Sequence, residues 1–340
     1  MIVAVVFLIA GLLLILLASE GFTNGIETFG RRFGLSQAVV GSLLAAVGTA
    51  LPETILPVVA IFFYSGESAK DIGVGAILGA PFMLSTLAFF LVGLTVIASS
   101  IKKRRRFEIN VEIHNAQRDL LFFLPMYSCA VLIPLVAGRS FSIPIAIALV
   151  CGYIFYAYRT FRHEGADIEY SDEMYLLRFS RKIKLSKSDN PHLILIILQV
   201  VGSLTVMVAG ARMFVEALEH VSVQFGMNPL LFALLLAPVA TELPEKINSV
   251  TWTWKGKDTL AIGNITGAMV FQSTFPVSVG LLFTEWKLTG MALFSAVIAL
   301  TSALVVLADL IFRKRLSPIT MLFGGALYLI YAAVLVMNRT

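Results

Sequence analysis

The chain has 340 residues, of which 58% are apolar and only 14% are charged, and its mean hydropathy is +0.88. Soluble domains are about 45–50% apolar and about 25% charged, so this composition excludes a soluble enzyme, a disordered chain and a disulfide scaffold. It predicts an all-α polytopic membrane protein, in which the net charge of +5 reflects basic loops and not nucleic-acid binding.

Apolar runs that approach the roughly 20 residues needed to cross a bilayer occur ten times along the chain. In chain order they cover residues 2–19, 36–63, 72–100, 119–137, 142–158, 193–213, 227–253, 259–284, 288–311 and 317–337. Cys129 and Cys151 both lie in such runs, and we expect them to be small buried side chains without a disulfide framework.

The basic residues test this count, because Lys and Arg accumulate in cytoplasmic loops. Of the 26 Lys and Arg residues, twenty follow odd-numbered spans, five lie in even loops or termini, and Lys246 lies inside span 7. The split predicts cytoplasmic odd loops and outward-facing termini. We therefore expect an integral protein of a prokaryotic-type plasma (inner) membrane.

The longest loop lies between spans 5 and 6 and predicts two halves. Residues 1–158 form a first five-helix repeat, 159–191 a cytoplasmic linker, and 192–340 a second five-helix repeat. Because five is odd, the halves have opposite orientations in the membrane, which is the geometry of an inverted repeat.

A short motif occurs once in each half. Gly48–Glu53 reads GTALPE in span 2, and Ala240–Glu245 reads ATELPE in span 7. The spans that follow repeat a Gly-Ala pair and a Ser-Thr pair, at Gly79–Ala80 with Ser85–Thr86 and at Gly267–Ala268 with Ser273–Thr274. The motif helices are therefore 36–63 and 72–100 in the first half, and 227–253 and 259–284 in the second.

The prolines of the motif predict free backbone oxygens at membrane depth. Proline has no amide hydrogen, so Pro52 leaves the carbonyl of Gly48 without its helical donor, and Pro244 does the same for Ala240. Such carbonyls are tolerated in a membrane only against protein or a water-filled cavity, where they serve as ligands for hard cations. We expect both motif helices to be interrupted here.

Each motif also places a carboxylate beside these carbonyls. Glu53 and Glu245 follow the prolines, and Thr49 and Thr241 lie one turn earlier on the same helix face. A charged side chain at the bilayer centre costs roughly 2.5–3.5 kcal/mol on insertion scales, so we expect a cation as its partner. The alternative role for the glutamates is to cap broken helices.

At these residues the sequence resembles the calcium/cation antiporter superfamily, whose sodium/calcium-exchanger-like members carry two inverted G-T-S-x-P-E segments, each followed by G-S-N-x-x-[ND]. The resemblance implies that spans 2, 3, 7 and 8 form a core around the ions and that spans 1 and 6 slide across it. It also implies that Glu53 and Glu245 bind Ca²⁺, which is exchanged against Na⁺ or H⁺ by alternating access.

The sequence departs from the family pattern at several ligand positions. Ala80 and Leu84 replace polar residues in the first half, and Ala268 replaces one in the second, where Gln272 is the polar residue that remains. Glu242 adds a further acidic group. The missing side-chain ligands weaken the case for Na⁺ coupling more than the case for a divalent ion. The choice between H⁺ and Na⁺ as the counter-ion stays open.

Several further residues keep two interpretations. Glu242 is a third ligand, a proton carrier or the partner of Lys246. Lys246 is expected to point away from the ligand face, with an internal cation that competes with the substrate as the alternative. Ser85 and Ser273 are candidate ligands, for which helix packing is the alternative.

The sequence also predicts roles for two polar side chains near these helices. Asn264 is a weak outer ligand or bonds across helices. Asp309, four residues before Arg313, predicts an ion pair at a helix end.

These observations predict a secondary-active cation antiporter that exchanges Ca²⁺ against H⁺ or Na⁺. The alternatives are monovalent Na⁺/H⁺ exchange or transport of another divalent metal, and, from another class, a cation channel. The four histidines fall in loops or near span ends, and no hydrolase or nucleotide motif is present in the sequence, so we expect no enzyme and no cofactor. The expected partners are inorganic cations and the lipid bilayer, without nucleic acid, and the oligomeric state is open.

Overall fold

A computed structural model describes residues 2–33, 50–64, 67–102, 105–163, 174–182 and 192–337. Its helices, numbered in chain order, are α1 (Ile2–Arg32), α2 (Leu51–Phe62), α3 (Glu67–Met83), α4 (Phe89–Ile101), α5 (Ile113–Ala137), α6 (Ser142–His163), α7 (Tyr175–Lys182), α8 (Leu193–Gln224), α9 (Pro229–Trp254), α10 (Asp258–Gln272), α11 (Phe275–Phe283), α12 (Gly290–Phe312) and α13 (Pro318–Met337). Within these ranges the only β pairing is an isolated bridge between Ile109 and Leu316, so the all-α prediction is confirmed for them.

Eight helical segments among the described residues are long and apolar enough to cross a membrane, which confirms a polytopic membrane protein. Helix α9 has the length, at 26 residues, but carries Glu242, Glu245 and Lys246 near its middle. Helix α2 is 12 residues long and follows residues 34–49, which lie outside the described ranges. The ten-span count and the inverted arrangement therefore stay predictions.

Two helices extend well beyond the apolar runs that predicted them. Helix α1 has 31 residues and α8 has 32, which at 1.5 Å per residue is roughly 45 Å, against a hydrocarbon core of about 30 Å. Hydropathy marks only the part of a helix at hydrocarbon depth, and the last turns of both helices are polar.

Large apolar side chains cover the outer surface of the helices, as a bilayer requires. More than half of the residue surface is exposed at Leu17 on α1 and at Ile147 and Ile154 on α6. Cys129 and Cys151 belong to this surface, so the prediction that they are buried was wrong. An apolar run in a membrane protein contributes side chains to the lipid-facing surface as well as to the interior.

The chain forms two compact units, Met1–Phe63 with Ala157–Val221 and Tyr64–Tyr156 with Ser222–Thr340. In the first unit, the backbones of α1 and α8 touch at Gly11 and Gly210. A Cβ atom on Gly11 would lie 2.8 Å from the carbonyl oxygen of Gly210, and one on Gly210 would lie 2.9 Å from that of Gly11. Only glycine allows this approach, which is common in membrane helix pairs.

A polar cluster in the same unit attaches the short helix α7. The amide of Gln199 donates to the side-chain oxygen of Asn24 at 2.9 Å and accepts from the backbone N–H of Leu176 at 2.9 Å. Asn24 also accepts from the backbone N–H of Tyr175 at 3.0 Å. These bonds satisfy amide groups at the start of α7, where a helix lacks internal partners.

In the second unit, α3 packs closely on α9. A Cβ atom at Gly75 or Gly79 would overlap the carbonyl oxygen of Leu230 or Leu234. Glycine at these two positions therefore allows the close approach of α3 to the backbone of α9. No described backbone atom approaches Gly263 or Gly267 in the same way.

One end of the second unit is held by a buried ion pair. Asp258, at the first position of α10, accepts from both terminal nitrogens of Arg105, and its exposure is 1%. Arg105 also donates to the carbonyl of Thr253 at 2.9 Å. This bidentate ion pair holds the segment after α4 against the turn between α9 and α10.

Candidate functional site

Glu53 lies in the first turn of α2. The helix begins at Leu51, and Pro52 occupies a position where its missing amide costs nothing. Glu53 is only 7% exposed, and a carboxylate in the first turn is favoured by the helix dipole. Gly48 and Thr49, the other candidates of this motif, lie outside the described residues.

The second motif lies within a continuous helix. Helix α9 runs without a break through Pro238 and Pro244, so the prediction that span 7 is interrupted was wrong. The helix tolerates the prolines because neighbouring elements support it. Pro244 still has no N–H to offer Ala240, so this buried carbonyl lacks its usual helical donor.

Thr241 and Glu245 lie one turn apart on α9. The Thr241 side chain is buried, and its hydroxyl donates to the carbonyl oxygen of Ala237 at 3.0 Å. Glu245 is half-buried. The predicted one-turn relation between the hydroxyl and the carboxylate is therefore present, since the helix is regular here.

Glu242 and Lys246 form an ion pair inside α9. The Oε2 atom of Glu242 lies 3.5 Å from the Lys246 ammonium, and the two side chains are 2% and 1% exposed. Gln272 on α10 donates to the other carboxylate oxygen at 2.9 Å. Lys246 thus contacts Glu242 and does not point away from it, and two predicted candidates, Glu242 and Gln272, are in direct contact.

Asn264 joins α10 to the same face of α9. Its side-chain amide donates to the hydroxyl of Ser249 at 3.0 Å, which confirms the prediction of a bond across helices. The backbone carbonyl of Asn264 lies 3.5 Å from the Lys246 ammonium. The ammonium is therefore enclosed by oxygen atoms from both helices.

Ser85 and Ser273 occupy equivalent irregular points of the two motif halves. Ser85 lies in a π-helical segment, Leu84–Ala88, that joins α3 to α4, and Ser273 lies in the break between α10 and α11. Each serine donates to the carbonyl three residues earlier, and the threonine that follows donates to that same carbonyl. Hydroxyl bonds of this kind bend helices. Both serines are completely buried.

Asp119 was not singled out by the sequence, although it lies at the start of an apolar run. Its carboxylate is 3% exposed and accepts from the hydroxyl of Thr266 on α10 at 2.6 Å and from that of Tyr156 on α6 at 3.0 Å. The Arg118 guanidinium lies 3.1 Å away. The cluster connects three helices, and its only sequence signal is one acidic residue inside an apolar segment.

No group of three or more His, Cys, Asp or Glu side chains among the described residues is placed to hold a metal ion. A cation site on these residues would therefore take most of its ligands from hydroxyls, amides and backbone carbonyls. Hard cations such as Ca²⁺ accept such ligands. The helix-end ion pair predicted between Asp309 and Arg313 is confirmed at 3.2 Å and lies at the end of α12.

Comparison with known proteins agrees with this architecture. The sequence profile of the family described as sodium/calcium exchanger protein matches residues 3–162 and 195–339. An inner membrane protein of Escherichia coli, YrbG, is 22% identical over 320 residues, which cover 94% of this chain and 91% of that protein.

Two solved exchangers have the same fold. The H⁺/Ca²⁺ exchanger CAX aligns with a TM-score of 0.68 at 17% identity, over 98% of this chain and 82% of that one. The sodium-calcium exchanger NCX_Mj aligns with a TM-score of 0.56 at 21% identity, over 98% of both chains. At these identities the likeness concerns the fold.

Proposed function

The chain belongs to the sodium/calcium exchanger protein family, and from this premise we propose that it is a secondary-active antiporter that exchanges Ca²⁺ against H⁺ or Na⁺ by alternating access. Proteins of this family are transporters of inorganic cations in membranes and not enzymes. The driving force is the gradient of the opposing ion, so the cycle needs no bound cofactor.

The observation that carries the proposal is the duplicated Thr-x-Leu-Pro-Glu motif. We propose that Glu53 and Glu245 bind the transported cation. Their support is the occurrence of one such glutamate in each half, together with the burial of Glu53 and the partial burial of Glu245. Ionisable residues inside membrane helices are functional by default, because their insertion is costly.

The further ligands in this proposal are oxygen atoms next to the glutamates. They are the hydroxyls of Thr49 and Thr241 and the carbonyls of Gly48 and Ala240, with Ser85 and Ser273 as outer candidates. The proline chemistry at Pro244 supports the use of the Ala240 carbonyl, because that oxygen receives no helical N–H.

The proposed topology has ten spans in two inverted five-helix repeats, with both termini outside and the basic loops in the cytoplasm. The support is the distribution of Lys and Arg, of which twenty of 26 follow odd-numbered spans. An even number of spans places both termini on the same side of the membrane.

The experiment is uptake of ⁴⁵Ca²⁺ by proteoliposomes that contain the purified protein, with an outward gradient of either H⁺ or Na⁺. We expect uptake with at least one of the gradients and none in empty liposomes. An ion flux that is independent of the opposing ion would contradict an antiporter and indicate a channel.

Monovalent Na⁺/H⁺ exchange is the second candidate, although the missing side-chain oxygens at Ala80, Leu84 and Ala268 weaken the case for Na⁺ more than the case for a divalent ion. Competition separates the candidates in the same liposomes: excess unlabelled Ca²⁺ abolishes ²²Na⁺ uptake driven by H⁺ only if both ions share the site. Excess Mn²⁺ or Mg²⁺ tests for another divalent substrate.

A further inference from the structure

The Lys246 ammonium lies beside two oxygen atoms of kinds that also bind metal cations. It lies 3.5 Å from a Glu242 carboxylate oxygen and 3.5 Å from the carbonyl oxygen of Asn264, and only 1% of its side chain is exposed. Gln272 orients the second carboxylate oxygen at 2.9 Å. A carboxylate and a backbone carbonyl are ligand types that Na⁺ and Ca²⁺ accept.

We propose that Lys246 is a tethered cation that permanently fills the cation position at Glu242, so that each cycle exchanges one divalent ion for two monovalent ions without net charge movement. This inference rests on the proposed function. It assigns Glu242 to Lys246 and not to the transported ions.

The charges on the two motifs lead to this stoichiometry. Glu53 and Glu245 carry two negative charges, which one Ca²⁺ or two monovalent cations balance. Glu242 would add a third negative charge, but the ammonium one turn away cancels it. In the low-polarity interior a charge imbalance is strongly unfavourable, so the occupied protein tends to neutrality in both halves of the cycle.

Removal of Lys246 leaves a buried carboxylate that needs another cation. In Lys246→Met, Glu242 therefore binds one additional monovalent ion in both halves of the cycle, and the cycle still moves no net charge. A transporter that moved one net charge per cycle would respond to voltage: its equilibrium Ca²⁺ accumulation ratio would change roughly 50-fold per 100 mV. A neutral cycle gives no change.

The experiment compares the equilibrium ⁴⁵Ca²⁺ accumulation ratio in proteoliposomes with and without a K⁺ diffusion potential set by valinomycin. We expect no change for the wild type. The place of the ammonium is tested by ²²Na⁺ binding to the purified protein at alkaline pH, in which Lys246→Met must bind more Na⁺ than the wild type. Glu242→Gln combined with Lys246→Met removes both charges and restores the Na⁺ binding of the wild type.

Lys287→Met is the matched control. Lys287 also pairs with a glutamate, Glu285, at 2.6 Å, but both side chains are exposed and lie between α11 and α12. We expect its Na⁺ binding to equal that of the wild type. A wild-type ratio that changes with voltage overturns the proposal on its own, even if Lys246→Met does not fold. Equal Na⁺ binding by Lys246→Met and Lys287→Met overturns it as well.

Failure of the proposed function is distinguishable from failure of this inference. If the wild type exchanges no Ca²⁺ under either gradient, the proposed function is contradicted. The tethered cation is still tested in that case, because ²²Na⁺ binding to the purified protein needs no transport. Lys246→Met must bind more Na⁺ than the wild type and the double variant, and equal binding by all three overturns the inference.

Discussion

Ser85 and Ser273 make the same hydrogen bond in the two halves of the chain. The first donates to the carbonyl oxygen of Phe82 at 3.2 Å and the second to that of Val270 at 3.0 Å. Thr86 and Thr274 add a second hydroxyl to each carbonyl. The repeated Ser-Thr pair of the sequence thus forms the same hydrogen-bond arrangement twice, with two hydroxyls that donate to one backbone carbonyl. This arrangement accompanies a π-helical segment in one half and a helix break in the other.

Replacement of these threonines tests how much their hydrogen bonds contribute to stability. Thr86→Val and Thr274→Val keep the side-chain shape and remove one buried hydroxyl donor each, which in Thr274 is shared between the carbonyls of Val270 and Phe271. We expect the free energy of unfolding in detergent to fall by about 1 kcal/mol per variant. Thr205→Val is the control, because Thr205 makes the same bond to Val201 at 2.8 Å but on the exposed surface of α8. Its effect should stay below about 0.5 kcal/mol. Equal losses at all three positions would contradict the account.

The contact of α3 with α9 depends on the absence of a side chain at Gly79. We expect Gly79→Ala to lower the free energy of unfolding by roughly 1–3 kcal/mol, because its Cβ atom would overlap the Leu234 carbonyl. In Gly202→Ala the new Cβ meets no described atom within 4 Å. That variant should be neutral or more stable by up to about 1 kcal/mol, since alanine favours a helix. Thermal unfolding of both variants in the same detergent gives the comparison.

Arg105 is expected to stabilise the protein through its ion pair with Asp258. Arg105→Ala leaves the buried Asp258 carboxylate without its ion-pair partner, and we expect a loss of about 3–5 kcal/mol in unfolding free energy. Arg313→Ala is the control, because Arg313 is 62% exposed in its pair with Asp309. There the loss should be below about 1 kcal/mol. A small effect at Arg105 would show that the pair does not hold the end of this unit.

Asp119 is expected to stabilise the protein through its shared hydrogen bonds. Asp119→Asn keeps the side-chain shape but removes the negative charge and one acceptor oxygen, so we expect unfolding to become easier by about 1–3 kcal/mol. Tyr156→Phe removes one of the bonds to this carboxylate and should cost about 1 kcal/mol. Chemical unfolding followed by tryptophan fluorescence measures both. A larger loss for Tyr156→Phe than for Asp119→Asn would contradict a cluster centred on the carboxylate.

The sequence predicted the elements whose signals are local. Apolar runs located the membrane helices, and the repeated motif led to the family before any fold was known. Helix ends were less accurate: α1 continues to Arg32 and α8 to Gln224, because polar turns outside the hydrocarbon core carry no hydropathy signal. Pro238 and Pro244 predicted an interruption, but tertiary packing keeps α9 helical.

The partners of buried charges needed the structure. Spacing alone placed Glu242 near both Glu245 and Lys246, and three roles for it remained open. Gln272 lies on another helix, so its bond to Glu242 has no local pattern. The same is true of the bonds from Tyr156 and Thr266 to Asp119, which bring together residues far apart in the chain.

In the proposed function, one glutamate from each motif binds the transported cation. Its most direct test is the initial rate of gradient-driven ⁴⁵Ca²⁺ uptake by proteoliposomes with wild type, Glu53→Gln, Glu245→Gln and Glu285→Gln. Glutamine keeps the shape and removes the charge, and Glu285 is an exposed control outside the spans. We expect uptake to fall at least about tenfold in each motif variant, the equivalent of about 1.4 kcal/mol in binding, and to be unchanged in Glu285→Gln. Wild-type rates in Glu53→Gln and Glu245→Gln would contradict the account.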